Sequence, residues 1–118
     1  MGDKSDWRQD RTVYLFRTEL HDLPGPEVFR DAGRIFIQAL PQVWRKPVVI
    51  KPNALLRFSP DSGIVTHPAF VGGLVDGLLS CGFSPADIIV AEGGGSEADN
   101  DMEQIFAATG YADEMVRR

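Results

Sequence analysis

Cysteine is nearly absent from this chain: Cys81 is the only one in 118 residues. One thiol cannot close an internal disulfide, and it cannot supply the four thiolates of an iron–sulfur cluster, so this chain alone ligates no such cluster. Positive charge is also scarce, with 12 Lys and Arg against 17 Asp and Glu and a net charge of -5. That balance argues against a nucleic-acid partner, because phosphate backbones are gripped mainly by Lys and Arg. Long apolar runs are missing too. None approaches the roughly 20 residues needed to cross a bilayer, and the polar opening MGDKSDWRQDRT lacks the apolar core of a signal peptide. No membrane partner is expected, and a cytoplasmic location is the default.

What remains is an ordinary globular composition, 43% apolar and 25% charged, with enough length for one small core. Acid is unevenly spread. Asp87 to Arg118 holds eight Asp/Glu and two Arg, net -6, which leaves about +1 for the rest. The middle of the chain is therefore the part able to attract an anion.

Residues 1–11 read as a flexible arm, and residues 12–118 as part of a single α/β domain. Val13 to Phe16 reads as a first strand. Val28, Ala32, Ile35, Phe36, Ala39, Leu40 and Val43 share one face of a helix fitting Glu27 to Val43, while Arg30, Asp31, Arg34 and Gln38 point away. Pro41 ends that helix near Leu40. Val48–Ile50 and Ile88–Ala91 are uninterrupted apolar strands, the pattern of a sheet covered on both faces. Between them Pro68 to Ser80 forms an apolar helix, with Gly82 suited to the left-handed position after it. Gly72, Gly73 and Gly77 weaken that helix, and close packing against the sheet would compensate. A last helix starts near Asn100, where Asn100 and Glu103 have capping-box spacing, and Gly110 breaks it. Alternating strands and helices predict a three-layer-type parallel sheet with crossover helices. The closing ADEMVRR reads as a helix in progress, so the expectation is the N-terminal part of a larger, incomplete domain.

Several of these motifs occur together in a known family. The strand ending in Lys51-Pro52-Asn53, the Gly63-Ile64-Val65-Thr66-His67-Pro68 closure, Gly82-Phe83, Ile88-Ile89-Val90 and Thr109-Gly110-Tyr111 resemble, in order and spacing, the family called domain of unknown function 362. The resemblance covers about Thr12 to Arg118. Many members of that family also carry a ferredoxin-like region with clustered cysteines, so the resemblance implies a redox association. Any cluster would have to come from another segment or partner.

Function is expected at the carboxyl ends of the strands, where open α/β sheets bind ligands. Lys51 and Asn53 leave the first long strand. A Lys charge and an Asn amide suit a phosphate or carboxylate; solvation of Lys51 and a turn role for Asn53 are the plainer alternative. Thr66 is expected to be the N-cap of the next helix, with Pro68 in its first turn. His67 is then not needed for capping and is a candidate acid or base, or else a hydrogen-bonded structural residue. Glu92-Gly93-Gly94-Gly95 follows the third strand, and consecutive glycines let backbone N–H groups approach an anion. Glu92 is the other candidate proton carrier, although its charge opposes an anion unless Lys51 intervenes. The acidic run Glu97, Asp99, Asp101 and Glu103 does not have calcium-loop spacing and suits a helix start, so no metal site is assigned.

The loop from Pro52 to Val65 is long for such a unit, and its Leu55, Leu56 and Phe58 suggest a packed lid or wall. The expected ligand is a small anionic molecule, bound by Lys51, Asn53, Thr66, Gly93, Gly94 and Gly95, with His67 and Glu92 as candidate catalytic groups. A non-catalytic assembly module, pairing with a further domain or with another copy as a homo-oligomer, is the rival expectation.

Overall fold

The computed structural model describes residues 25–40, 45–54, 56–93 and 102–116, together with Val13 and Leu15. Among these residues four helices and two strands occur in the order α1 (Pro26–Ala39), β1 (Val48–Ile50), α2 (Pro68–Ser80), β2 (Ile88–Val90), α3 (Met102–Ala108) and α4 (Tyr111–Val116). Single 3-10 turns at Pro60–Ser62 and Pro85–Asp87 precede α2 and β2. The strands pair in parallel, with Val48 opposite Ile88, Val49 opposite Ile89 and Ile50 opposite Val90. Parallel neighbours need a crossover, and α2 supplies it. The chain is thus an α/β protein, and its described residues form a two-stranded parallel sheet.

α2 is the central element. Apolar almost all round, it buries Val71, Leu74, Val75 and Leu78, as a helix enclosed on several sides must. Its end follows the glycine pattern read from sequence. Gly82 adopts φ +94°, its N–H donates to the Leu79 carbonyl, and the Phe83 N–H donates to the Leu78 carbonyl. Two of the glycines inside α2, Gly73 and Gly77, face α1. A Cβ on Gly73 would lie 2.0 Å from the Arg30 carbonyl oxygen, and one on Gly33 would lie 2.2 Å from that of Phe70. Leu74 and Leu78 of α2 pack on Val48 and Ile88 of the sheet, while at Gly73 the close approach is between α1 and α2.

That contact also corrects the inner face of α1. Arg30, Gly33 and Ile37 are buried, while Ile35 and Ala39 are exposed. Gly33 dictates which side can approach Gly73, and apolar content yields to that fit. Contacts advance together from Phe29–His67 through Gly33–Phe70 to Ile37–Gly77, so α1 and α2 run side by side in the same direction. Both helices therefore begin at the carboxyl end of the sheet.

Two apolar clusters flank α2. Ile37, Leu74 and Leu78 gather Phe36, Phe70, Val48 and Ile88, whereas Ala54, Val71 and Tyr111 gather Ile50, Val90, Phe106 and Met115. The second cluster carries α3 and α4, whose junction is Gly110 at φ +85°. Ile105 of α3 and Thr109, just past its end, are buried. The predicted cap of α3, Asn100, lies outside the described residues.

The strands differ from expectation on their second face. Val48, Ile50, Ile88 and Val90 turn toward the helices, but Val49 and Ile89 are 58% and 45% exposed. Among the described residues nothing covers them. Val13 and Leu15, from the predicted first strand, belong to no strand and are exposed. Tyr14, Phe16 and the predicted 1–11 arm lie outside the described residues.

Candidate functional site

β1 ends at Ile50, whose carbonyl accepts from the Ala91 N–H at 3.0 Å, so the segments after both strands start side by side. Lys51 and Glu92 meet there. Lys51 Nζ lies 3.0 Å from Glu92 Oε1, with the lysine side chain 71% exposed and the glutamate side chain only 2% exposed. Glu92 also accepts from the Gly93 N–H at 2.8 Å through Oε1 and, at a longer 3.4 Å, from the Ala54 N–H through Oε2. Burial pushes this carboxyl upward, but the bonds from Lys51, Ala54 and Gly93 outweigh it and hold the group below its ordinary value. Glu92 is therefore a charged, enclosed carboxylate whose donors fasten the two strand ends together.

Asn53 and Thr66 form the second connection. The Thr66 N–H donates to the Asn53 carbonyl at 2.8 Å, while the Asn53 N–H donates to Thr66 Oγ1 at 3.1 Å. The Asn53 side-chain amide donates to the Ile64 carbonyl at 3.0 Å, closing the neck of the long loop. Buried Tyr111 fixes the same point from the other side, its hydroxyl donating 2.6 Å to the Thr66 carbonyl. Burial pushes the Tyr111 hydroxyl pKa upward, which keeps it a donor.

Thr66 is consequently not the helix cap. His67 is: its Nδ1 accepts from the Ala69 N–H at 3.1 Å, and its backbone is extended, as an N-cap's should be. The imidazole stacks on Phe29 of α1 with centroids 4.1 Å apart and planes 3° from parallel. Nε2 faces Asp61 Oδ1 at 3.5 Å. Burial lowers the His67 pKa from its ordinary value, against the opposing pull of Asp61.

Beside this histidine, a pocket of about 570 Å³ opens between the first turns of α1 and α2, bordered by Glu27, Arg30, Asp61, His67 and Glu114. Arg30 and Glu114 form its floor. Nε and a terminal nitrogen of Arg30 donate to the two Glu114 oxygens at 3.0 and 2.9 Å, and both side chains are more than nine-tenths buried. Glu27 pairs with the same guanidinium from solvent.

Of the residues expected from sequence, Lys51, Asn53, Thr66, His67, Glu92 and Gly93 are described, and the structure places them in three groups. Lys51, Glu92 and Gly93 share hydrogen bonds, Asn53 pairs with Thr66, and His67 turns to α1 and the pocket. Gly94 and Gly95 lie outside the described residues. Arg30, Asp61, Glu114, Phe29 and Tyr111 were missed. The signal for Arg30 was its i, i+3, i+7 spacing with Gly33 and Ile37, which puts it on the packed stripe. In the long loop Pro52, Ala54 and Val65 are buried while Leu56 and Phe58 are exposed, and Leu55 is outside the described residues. Arg57 ties the loop to α3 through Gln104. Among the described residues, no three His, Cys, Asp or Glu side chains gather to hold a metal, and no helix is long and apolar enough to cross a membrane.

No curated protein and no solved structure was found to match the chain. A family model described as "Domain of unknown function (DUF362)" matches residues 48–118, from the first residue of β1 through both strand ends and α4. With more than half of its length matched, this chain belongs to the family of the domain of unknown function 362.

Proposed function

We propose that this protein binds a small anionic molecule at the carboxyl edge of its sheet. One observation carries the reading: the Lys51 amine and the N–H groups of Ala54 and Gly93 already converge on a carboxylate, that of Glu92. Donors from both strand ends are thus directed at one anionic group, and exposed Lys51 has amine protons left for another. Lys51 is the charge in this scheme, Asn53, Thr66 and Gly93 form the wall, and Glu92 limits the tolerated charge. Proton transfer by His67 or Glu92 would require either to give up its present hydrogen bonds. Binding needs neither to move.

Redox association is the family-level extension of this reading, with the cluster held elsewhere because this chain has one cysteine. A cytoplasmic setting agrees with that scheme. The measurement is an NMR titration with inorganic phosphate and with succinate. Lys51→Ala should weaken the tighter of the two by at least tenfold, roughly 1.4 kcal/mol. Unchanged binding in a folded Lys51→Ala/His67→Ala double variant would reject the site.

A second reading rests on the open sheet face. Parallel sheets are usually covered on both sides, and Val49 and Ile89 are not. An assembly module would use that face, and a three-layer arrangement would be completed by what binds it. Sedimentation velocity over a hundredfold concentration range separates the readings: a concentration-independent monomer counts against assembly through a second copy.

A further inference from the structure

We infer that His67 is an acid-sensitive latch: protonation of its ring breaks the cap of α2 and loosens the neck of the loop beside the anion site. The inference stands independently of ligand binding, because every contact it uses lies within the protein.

Geometry specifies the proton's position. Nδ1 accepts from the Ala69 N–H, so that nitrogen must carry no proton. The neutral ring is therefore the tautomer with its proton on Nε2, the atom directed at Asp61. A second proton can enter only at Nδ1. There it turns the acceptor into a donor facing another donor, and the Ala69 N–H loses its partner. Most N-caps cannot do this, since Ser, Thr and Asn carry no group that protonates in this range. Histidine in this position makes the cap conditional.

The surroundings give the loss a direction. The ring is clamped between α2 and Phe29 of α1, and its side chain is 11% exposed. Four charged groups face it or share its pocket: Asp61 from the 3-10 turn, Glu114 from α4, and Arg30 and Glu27 from α1. Asp61 and Glu114 favour the imidazolium, whereas burial and Arg30 oppose it, and the opposition prevails. Because the folded pKa is depressed, the latch's contribution is complete above the unfolded value near 6.5 and is lost as pH falls toward and through the folded one. His67 also follows Thr66 directly, and Thr66 holds Asn53 and Tyr111. Displacing the ring therefore pulls on the neck of the long loop and on the wall that includes Asn53.

The test is NMR on the full chain in a His21→Gln background, so that one imidazole titrates. At pH 8, ring-nitrogen shifts should report the Nε2-protonated tautomer. On acidification the ring should titrate below its ordinary value near 6.5, and the amides of Ala69, Asn53 and Thr66 should move with the same midpoint. Protection of the Ala69 amide, its exchange rate taken relative to the intrinsic rate at each pH, should fall about fivefold, as for loss of an ordinary N-cap. His67→Asn, which caps without titrating, should remove that shared midpoint. An Nδ1-protonated ring at pH 8, or an Ala69 amide indifferent to the imidazole titration, would overturn the latch, and both are read on the chain with native His67, whether or not the Asn variant folds.

Discussion

Glu92 shows how much one side chain's surroundings alter its meaning. In the sequence it is an acid beside three glycines, equally suited to catalysis or to a turn. In the structure it is enclosed, ionised, and engaged by Lys51, Ala54 and Gly93. Glu92→Gln preserves the shape but replaces charge-assisted bonds with weaker ones and puts an amide donor against donors. The expected cost is about 1–3 kcal/mol at pH 7, measured by urea denaturation. The pH dependence follows from the depressed carboxyl: its contribution is whole above the ordinary glutamate range, near 4.3, and disappears as pH falls through the lower folded value. The Gln variant should therefore lose less stability between pH 5 and pH 3 than the native chain. Equal acid sensitivity in the two would mean that Glu92 is not ionised in the fold. Thr66 and His67 teach a related point, because both precede Pro68 and either could cap. Two distant partners decide between them: the Thr66 hydroxyl is engaged by the Asn53 N–H, and Phe29, 38 positions before the histidine, stacks on the imidazole in its capping position. Nothing local to Thr66-His67-Pro68 announces either partner.

At the scale of elements, α2 and the two strands were legible because apolar runs and turn residues specify them locally. Pro68 opens α2, Gly82 terminates it, and the strands fall at Val48–Ile50 and Ile88–Val90 as their apolar runs indicate. The inner face of α1 was not legible. It depends on the fit between Gly33 and Gly73, which are 40 positions apart. Helix propensity alone says that Gly73→Ala should gain about 1 kcal/mol. Contact geometry says the opposite, since the added Cβ would sit 2.0 Å from the Arg30 carbonyl oxygen, and backbone cannot swing aside as a side chain does. Separating the helices should cost at least 1–3 kcal/mol, as overpacking does. Gly33→Ala meets Phe70 backbone and should behave similarly. Thermal denaturation of each variant checks this, and a raised melting temperature for either would mean that the helices are farther apart than described.

For the molecule as a whole, the two ends of the described chain are joined where sequence gives no hint of a partnership. Arg30 on α1 and Glu114 on α4 are 84 positions apart, yet they form a two-pronged ion pair shielded from water. An amphipathic reading directs Arg30 outward, because a charge normally seeks solvent. Here the family match begins at Val48, after α1, and the pair is the polar fastening between α1 and the matched region. Burying two charges is expensive, so the pair need not exceed what an apolar contact of similar volume would provide. Losing one partner is a different matter, since it strands the other charge. Glu114→Ala should therefore destabilise by about 3–5 kcal/mol, softened toward the lower figure because Glu27 still reaches Arg30 from solvent. Arg30→Met combined with Glu114→Leu should recover most of that loss, leaving the double variant well above the Glu114→Ala single variant in urea midpoint. If the single and double variants are equally weak, the pair is needed for its geometry as well as its charge balance. If the single variant is as stable as the native chain, α1 is held by its apolar packing and the close Gly33–Gly73 approach, and the pocket floor contributes nothing to its attachment.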